Sequence, residues 1–146
     1  MPDLLFGINN SKDKLKLLIE EYEIYRKDLL SEKLATSLSE GAWSLADWVF
    51  AEQTKESDKG KFRIDLFSQC PSLLIMHDIA NVSKHKVLDR PKASIKRAHK
   101  HSGAFSQAFS KEFDISCLII EMEDGTKTYF EEEIENVISF WKTYIK

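Results

Sequence analysis

Apolar residues recur at helical spacing through most of this chain, and that periodicity restricts the fold more than any other feature. Leu15, Leu18, Ile19, Tyr22, Tyr25 and Leu29 follow the i, i+3, i+4, i+7 pattern after the cap candidates Asn10 and Ser11, which predicts an amphipathic helix over about 11–33. Leu38, Ala42, Leu45, Trp48 and Val49 form the next stripe, predicting a helix over about 34–53, with a tight turn or kink near 31–37 between the two. Gly41, inside that second helix, lets a neighbour approach closely.

The stretch 54–60 is entirely polar and ends in Gly60, so it reads as an exposed connection. Phe62, Leu66 and Phe67 suggest a short third helix. Pro71 is placed in the first turn of a fourth, over about 71–86, whose core face would be Leu74, Ile75, Ile79 and Val82, with Ala80 at a close crossing. Asp89-Arg90-Pro91 ends it, because the residue before proline disfavours helix. The basic stretch to Gly103 is expected to be part loop and part short helix. Two apolar runs, 113–122 and 127–130, flank Glu123-Asp124-Gly125-Thr126, and Asp-Gly between such runs predicts a β-hairpin. Such a hairpin is marginal alone, so Ile115, Leu118, Ile120 and Tyr129 need a partner surface, either the helices or a strand from a second copy. Acidic residues in the first turn and the stripe Ile134, Val137, Ile138, Trp141 and Ile145 predict a closing helix over about 131–145. The expected architecture is mainly α (α+β): a bundle of about four helices, a hairpin and a C-terminal helix in a single domain over 1–146.

Composition narrows the function classes. With 146 residues, 42% hydrophobic and 31% charged, the chain is ordinary globular protein and can bury one core. Met1-Pro2-Asp3-Leu4-Leu5-Phe6 lacks a basic, long apolar leader and no stretch is apolar enough to span a bilayer, so a cytoplasmic protein without membrane contact is expected. Cys70 and Cys117 are far apart and form no CxxC, which fits buried, reduced thiols rather than a zinc site. The net charge of −3 hides an uneven distribution. Lys84, Lys86, Arg90, Lys92, Lys96, Arg97 and Lys100 face only Asp89 within 84–101, a window that also holds His85, His99 and His101. From Glu112 to Glu135, nine acidic residues are opposed only by Lys127.

Two segments combine anchors with polar groups that would be costly to bury alone: Trp43 to Trp48, which includes Asp47, and His77 to His85. On a helix, Asp78, Asn81 and His85 share one face, while His77, Asn81 and His85 share an overlapping one. If the second and fourth helices are neighbours, Asp47 approaches Lys84 or His85, and the five residues His85, Asn81, Asp78, Asp47 and Lys84 become the candidate site. Three roles fit them: a buried pair that fixes helix register, an acid/base His85 tuned by Asp47 or Asp78, or metal ligation. His77 and His85 lack the i, i+4 spacing of a helical metal pair, so no metal is expected, and no cofactor motif, P-loop, GxSxG or GxGxxG occurs. The basic window offers a different chemistry, with Lys86, Arg90, Lys92, Lys96, Arg97 and Lys100 against phosphates and Phe105 and Phe109 as stacking groups. The alternative is a basic surface that is solvated, or that docks on the acidic C-terminal third of the same chain or of a second copy.

Trp43-Ser44-Leu45-Ala46-Asp47-Trp48, then Cys70-Pro71-Ser72-Leu73, then Asp78-Ile79-Ala80-Asn81-Val82-Ser83-Lys84-His85 together resemble small bacterial and phage-type helical proteins that carry a W-x-L-x-D-W and a D-x-A-N-x-x-K-H segment, over roughly 11–90. Those are in turn loosely similar to HEPN domains, helical bundles that often dimerise and include metal-independent ribonucleases. The HEPN nuclease pattern places four to six residues between an Arg and its His. No Arg precedes His85 in that range, and Arg97 to His101 does not follow the pattern as three residues intervene. The resemblance therefore implies the bundle, with Asn81, Lys84 and His85 as a marked polar cluster. The function expected is a binding or interaction module associated with RNA or DNA through 84–101. Its alternatives are a HEPN-like ribonuclease or degenerate relative using His85, and a structural, self-associating subunit.

Overall fold

In the computed structural model, which describes residues 6–53, 55–86, 91–101 and 117–145, Asn10 caps the first helix by accepting a hydrogen bond from the Asp13 N–H at 2.8 Å. Helix α1 (Ser11–Tyr25) stops well short of residue 33. The backbone tightens after Tyr25, where the Lys27 and Asp28 N–H groups bond three residues back, and Ser31 Oγ then accepts from Leu34 N at 3.1 Å to start α2 (Glu32–Gln53). A local Ser cap thus outcompetes the continuing apolar period. The carboxylate of Glu52, near the far end of α2, accepts from Ser11 N at 3.0 Å and pins the two helices antiparallel. At their crossing, a Cβ on Gly41 would lie 3.3 Å from Leu18 Cδ1, the close approach the sequence suggested.

Helices α3 (Lys59–Gln69) and α4 (Ser72–His85) follow, and α5 (Phe130–Tyr144) closes the bundle. Helix α2 is central, contacting α1, α3, α4 and α5. Of the expected core face of α4, Ile75 is buried, as is Ala80, but Val82 is 41% exposed and Leu74 and Ile79 are half-buried; Leu73 and Met76 complete the buried face. Leu73, Met76 and Ala80 stand at i, i+3 and i+7 and so form one continuous apolar row along the helix, which the more widely spread Leu74, Ile79 and Val82 do not.

Three antiparallel strands lie in the order β1 (Ile95–His101), β2 (Cys117–Met122) and β3 (Lys127–Tyr129). The Asp-Gly turn forms as expected: Gly125 has φ +91°, and Met122 N bonds Thr126 O at 2.8 Å across the loop. The expected first-strand residues 113–116 lie outside the described residues, as do Phe105, Phe109 and Arg90.

Strand β1 corrects the expectation of loop and short helix over the basic window. It pairs with β2 through Ala98 opposite Ile120 and Arg97 opposite Glu121, with a bulge at Lys96. Ile95 is its one β-branched residue, so intrinsic preference gives little sign of a strand; the buried run Cys117-Leu118-Ile119-Ile120, with β3 on one side only, supplies the reason for one. The surface the hairpin required is therefore met within the chain. Leu118 and Ile120 join Phe130, Ile134, Val137 and Trp141 in one core with the bundle. Both cysteines are free and buried, and burial raises their pKa values, so they stay as thiols at neutral pH. No helix among the described residues is long and apolar enough to cross a membrane.

Candidate functional site

Neighbouring helices α2 and α4, with α3 alongside, enclose a groove of about 520 Å³ that carries four of the five expected site residues: Asp47, Asn81, Lys84 and His85. Glu40, Trp43 and Arg63 complete its polar and aromatic lining. Asp47 projects from α2, while Asn81, Lys84 and His85 come from successive turns at the end of α4, where cationic side chains are favoured by the helix dipole.

Asp47 does not pair with Lys84 or His85. Its Oδ1 lies 2.8 Å from Lys59 Nζ and 3.1 Å from Arg63 Nη2, both on α3. The Arg63 guanidinium lies over Trp43 at 5.2 Å, and Trp43 stacks on Phe67 at 5.3 Å. This layer holds α3 against α2, and its arginine gave no signal in the sequence, since Arg63 and Asp47 are on separate helices. His85 is exposed and has no hydrogen bond among the described residues, so none of their carboxylates orients its ring.

Asp78, the fifth expected residue, points away from this groove and is 1% exposed. Its carboxylate accepts from Lys92 N at 2.9 and 3.0 Å, from Ala93 N at 2.8 Å and from His77 Nδ1 at 2.7 Å. The other ring nitrogen of His77 faces Asn81 Nδ2 at 3.1 Å, which assigns the proton to Nδ1 and makes Nε2 the acceptor. Trp43 meets the His77 ring edge-on at 5.0 Å. The overlapping faces drawn from helical spacing therefore separate. Asn81 and His85 open to the groove, whereas Asp78 and His77 turn inward and tie α4 to the backbone leading into β1.

The basic window also divides. Glu121, 8% exposed on β2, accepts from Arg97 Nε at 2.6 Å, with Lys96 Nζ at 3.9 Å and His99 Nε2 at 4.0 Å. Lys100 pairs with Glu32 at 3.3 Å. The basic strand thus docks on the chain's own carboxylates. Lys84, Lys86 and Lys92 are exposed and carry no ion pair among the described residues. Of His101, which ends β1, only the backbone is described. No three His, Cys, Asp or Glu side chains among the described residues come together in a metal-binding cluster.

Two carboxylates should shape the acid limb of stability. Burial pushes Asp47 up, but the hydrogen bonds and charges of Lys59 and Arg63 outweigh it and hold the group below its ordinary 3.8. The Arg97 hydrogen bond, aided by the charges of Arg97, Lys96 and Lys127, holds Glu121 below its ordinary 4.5. Because both folded-state values are depressed, their contributions are complete above the ordinary values and are lost as pH falls through the lowered ones. Urea midpoints measured from about pH 6 to pH 3 are expected to fall less steeply in Asp47→Asn and Glu121→Gln than in the wild type. Parallel acid limbs would contradict this.

Compared with protein-family models, curated proteins and solved structures, the chain finds no match in any of the three.

Proposed function

We propose that the protein is a nucleic-acid-binding module that holds the phosphate backbone at the end of α4. The observation that carries this reading is the division of the basic window: Lys96, Arg97 and Lys100 are engaged by Glu121 and Glu32, while Lys84, Lys86 and Lys92 are exposed without carboxylate partners among the described residues. Exposed ammonium groups neutralise phosphates by releasing condensed counterions, and binding of that kind weakens with salt. His85, exposed between Lys84 and Lys86 in the chain, adds ring N–H donors to the same surface. In the groove floor Trp43 is 8% exposed and packs against Phe67 and Arg63, so among the described residues this ring is not open to a base and the reading is one of backbone contact.

The test is a fluorescence-anisotropy titration with single-stranded and duplex RNA and DNA at several salt concentrations. Three phosphate contacts correspond to a log–log salt slope of about −2 for single strands. The triple variant Lys84→Glu, Lys86→Glu, Lys92→Glu is expected to weaken binding at least about tenfold and flatten the slope, whereas Lys96→Glu with Lys100→Glu has a smaller effect. Absence of binding at low salt, or an unaltered triple variant, would overturn the reading. RNA cleavage that disappears in His85→Ala while binding persists would replace it with a ribonuclease.

A further inference from the structure

On the opposite side of α4 from the groove, a second cleft of about 490 Å³ separates the helices from strand β1. Thr36 of α2 and Asp78, Ile79, Val82 and Ser83 of α4 form its helical wall, with the Asp78 carboxylate already taken up by the Lys92 and Ala93 N–H groups and His77, and the four consecutive residues Ile95, Lys96, Arg97 and Ala98 form the other. These four span the bulge at Lys96, where strict alternation of faces breaks, so the cleft follows consecutive residues of the strand that is outermost in the sheet. Its outer edge is free. Strand β1 is outermost in the sheet, and its outer backbone groups have no backbone partner among the described residues. The cleft continues into a recess of about 150 Å³ that shares Thr36, Ile79 and Ala98 and ends on Leu118, Ile120 and Phe130.

From this geometry we infer that β1 and α4 form a docking site for an extended peptide of a partner protein. The peptide would add a fourth strand to the sheet, with acidic residues alternating with aliphatic ones. The free edge supplies main-chain hydrogen bonds, and a helix facing an edge strand supplies the wall against which alternate side chains pack. Val82, 41% exposed, and the half-buried Ile79 and Ile95 take the aliphatic positions, and the recess takes one branched side chain.

Charge selects the occupant. A second copy pairing edge to edge would bring Lys96, Arg97 and Lys100 against the same three cations, and lysines on an edge strand commonly prevent such self-pairing. An acidic strand meets the same residues with the opposite sign. Lys96 and Lys100 are 60% and 53% exposed, and an ammonium has three donors, so each can meet a peptide carboxylate while keeping its contact to Glu121 or Glu32. The site is distinct from the α4 end patch and does not depend on nucleic-acid binding.

The experiment is selection of a random eight-residue phage library on the full chain, followed by anisotropy titration of the enriched peptides made synthetically. Enriched sequences are expected to alternate Asp or Glu with Val, Ile or Leu. N-methylation of alternate peptide amides should weaken binding at least tenfold in one register and little in the other. Lys96→Glu with Lys100→Glu, and separately Val82→Asp at an exposed position, should each weaken it at least tenfold with an unchanged circular-dichroism spectrum. No enrichment, enrichment of basic sequences, or indifference to N-methylation would overturn the inference. So would a dimer formed through β1 in sedimentation, or displacement of the peptide by single-stranded RNA from the Lys84→Glu, Lys86→Glu, Lys92→Glu variant.

Discussion

Asp78→Ala is expected to lower the free energy of unfolding by about 3–5 kcal/mol, a large part of the total for a domain of this size. The carboxylate is buried and accepts from two backbone N–H groups and one imidazole. Removing it leaves those donors without an acceptor where water does not reach, and each buried orphan costs about 1–3 kcal/mol. Asp78→Asn keeps the volume but turns an amide NH₂ toward at least one donor, so an intermediate loss follows. Urea denaturation measures the loss, and hydrogen exchange locates it: the Lys92 and Ala93 amides should lose protection before those of α1. A loss below about 1 kcal/mol, or unchanged protection at those two amides, would show that Asp78 does not hold β1 in place.

The second large effect is expected at Trp141, which is 0% exposed and whose indole N–H donates to Ala42 O at 3.0 Å. It is the contact through which α5 locks onto the middle of α2, with Phe140 and Tyr144 against its ring. Trp141→Ala should cost about 3–5 kcal/mol through lost contacts and the cavity left behind. Trp141→Phe keeps an aromatic ring but loses the hydrogen bond and part of the volume, for about 1–2 kcal/mol. Trp48 is a control of similar size: it is only half-buried, beneath Lys14 at 5.5 Å, so Trp48→Ala should cost clearly less. Circular dichroism in urea reads all three, because tryptophan fluorescence changes with the substitutions themselves. Equal losses at Trp48 and Trp141 would mean that burial does not set the scale.

The same two residues mark how far the sequence could be read. Trp141 stood in a stripe of five apolar positions, and its burial followed from period alone. Asp78 was visible as a polar residue that needed a partner, but spacing placed it on a face with Asn81 and His85, and the partner was instead a backbone segment fourteen residues on. Backbone N–H groups have no signature in a sequence, so side-chain patterns could suggest only side-chain partners. Asp47 failed in the same way. It does line one groove with Lys84 and His85, yet its charge is met by Lys59 and Arg63 from a helix whose docking angle no local pattern specifies.

Local chemistry settled the elements whose stabilising contacts lie within a few residues. The helices, the Asn10 cap, the Asp-Gly turn at Gly125 and the closing helix all follow from such contacts, and so does the mainly α class with a small antiparallel sheet. Where stability came from distant partners, only the tertiary structure decided. Strand β1 forms because β2 is buried and needs a second neighbour, not because Ile95–His101 favours extension. The division of the basic window depends on tertiary structure too: strand pairing sets Arg97 opposite Glu121 and sheet packing brings Lys100 to Glu32, while Lys84, Lys86 and Lys92 lie outside the strand and meet no carboxylate among the described residues.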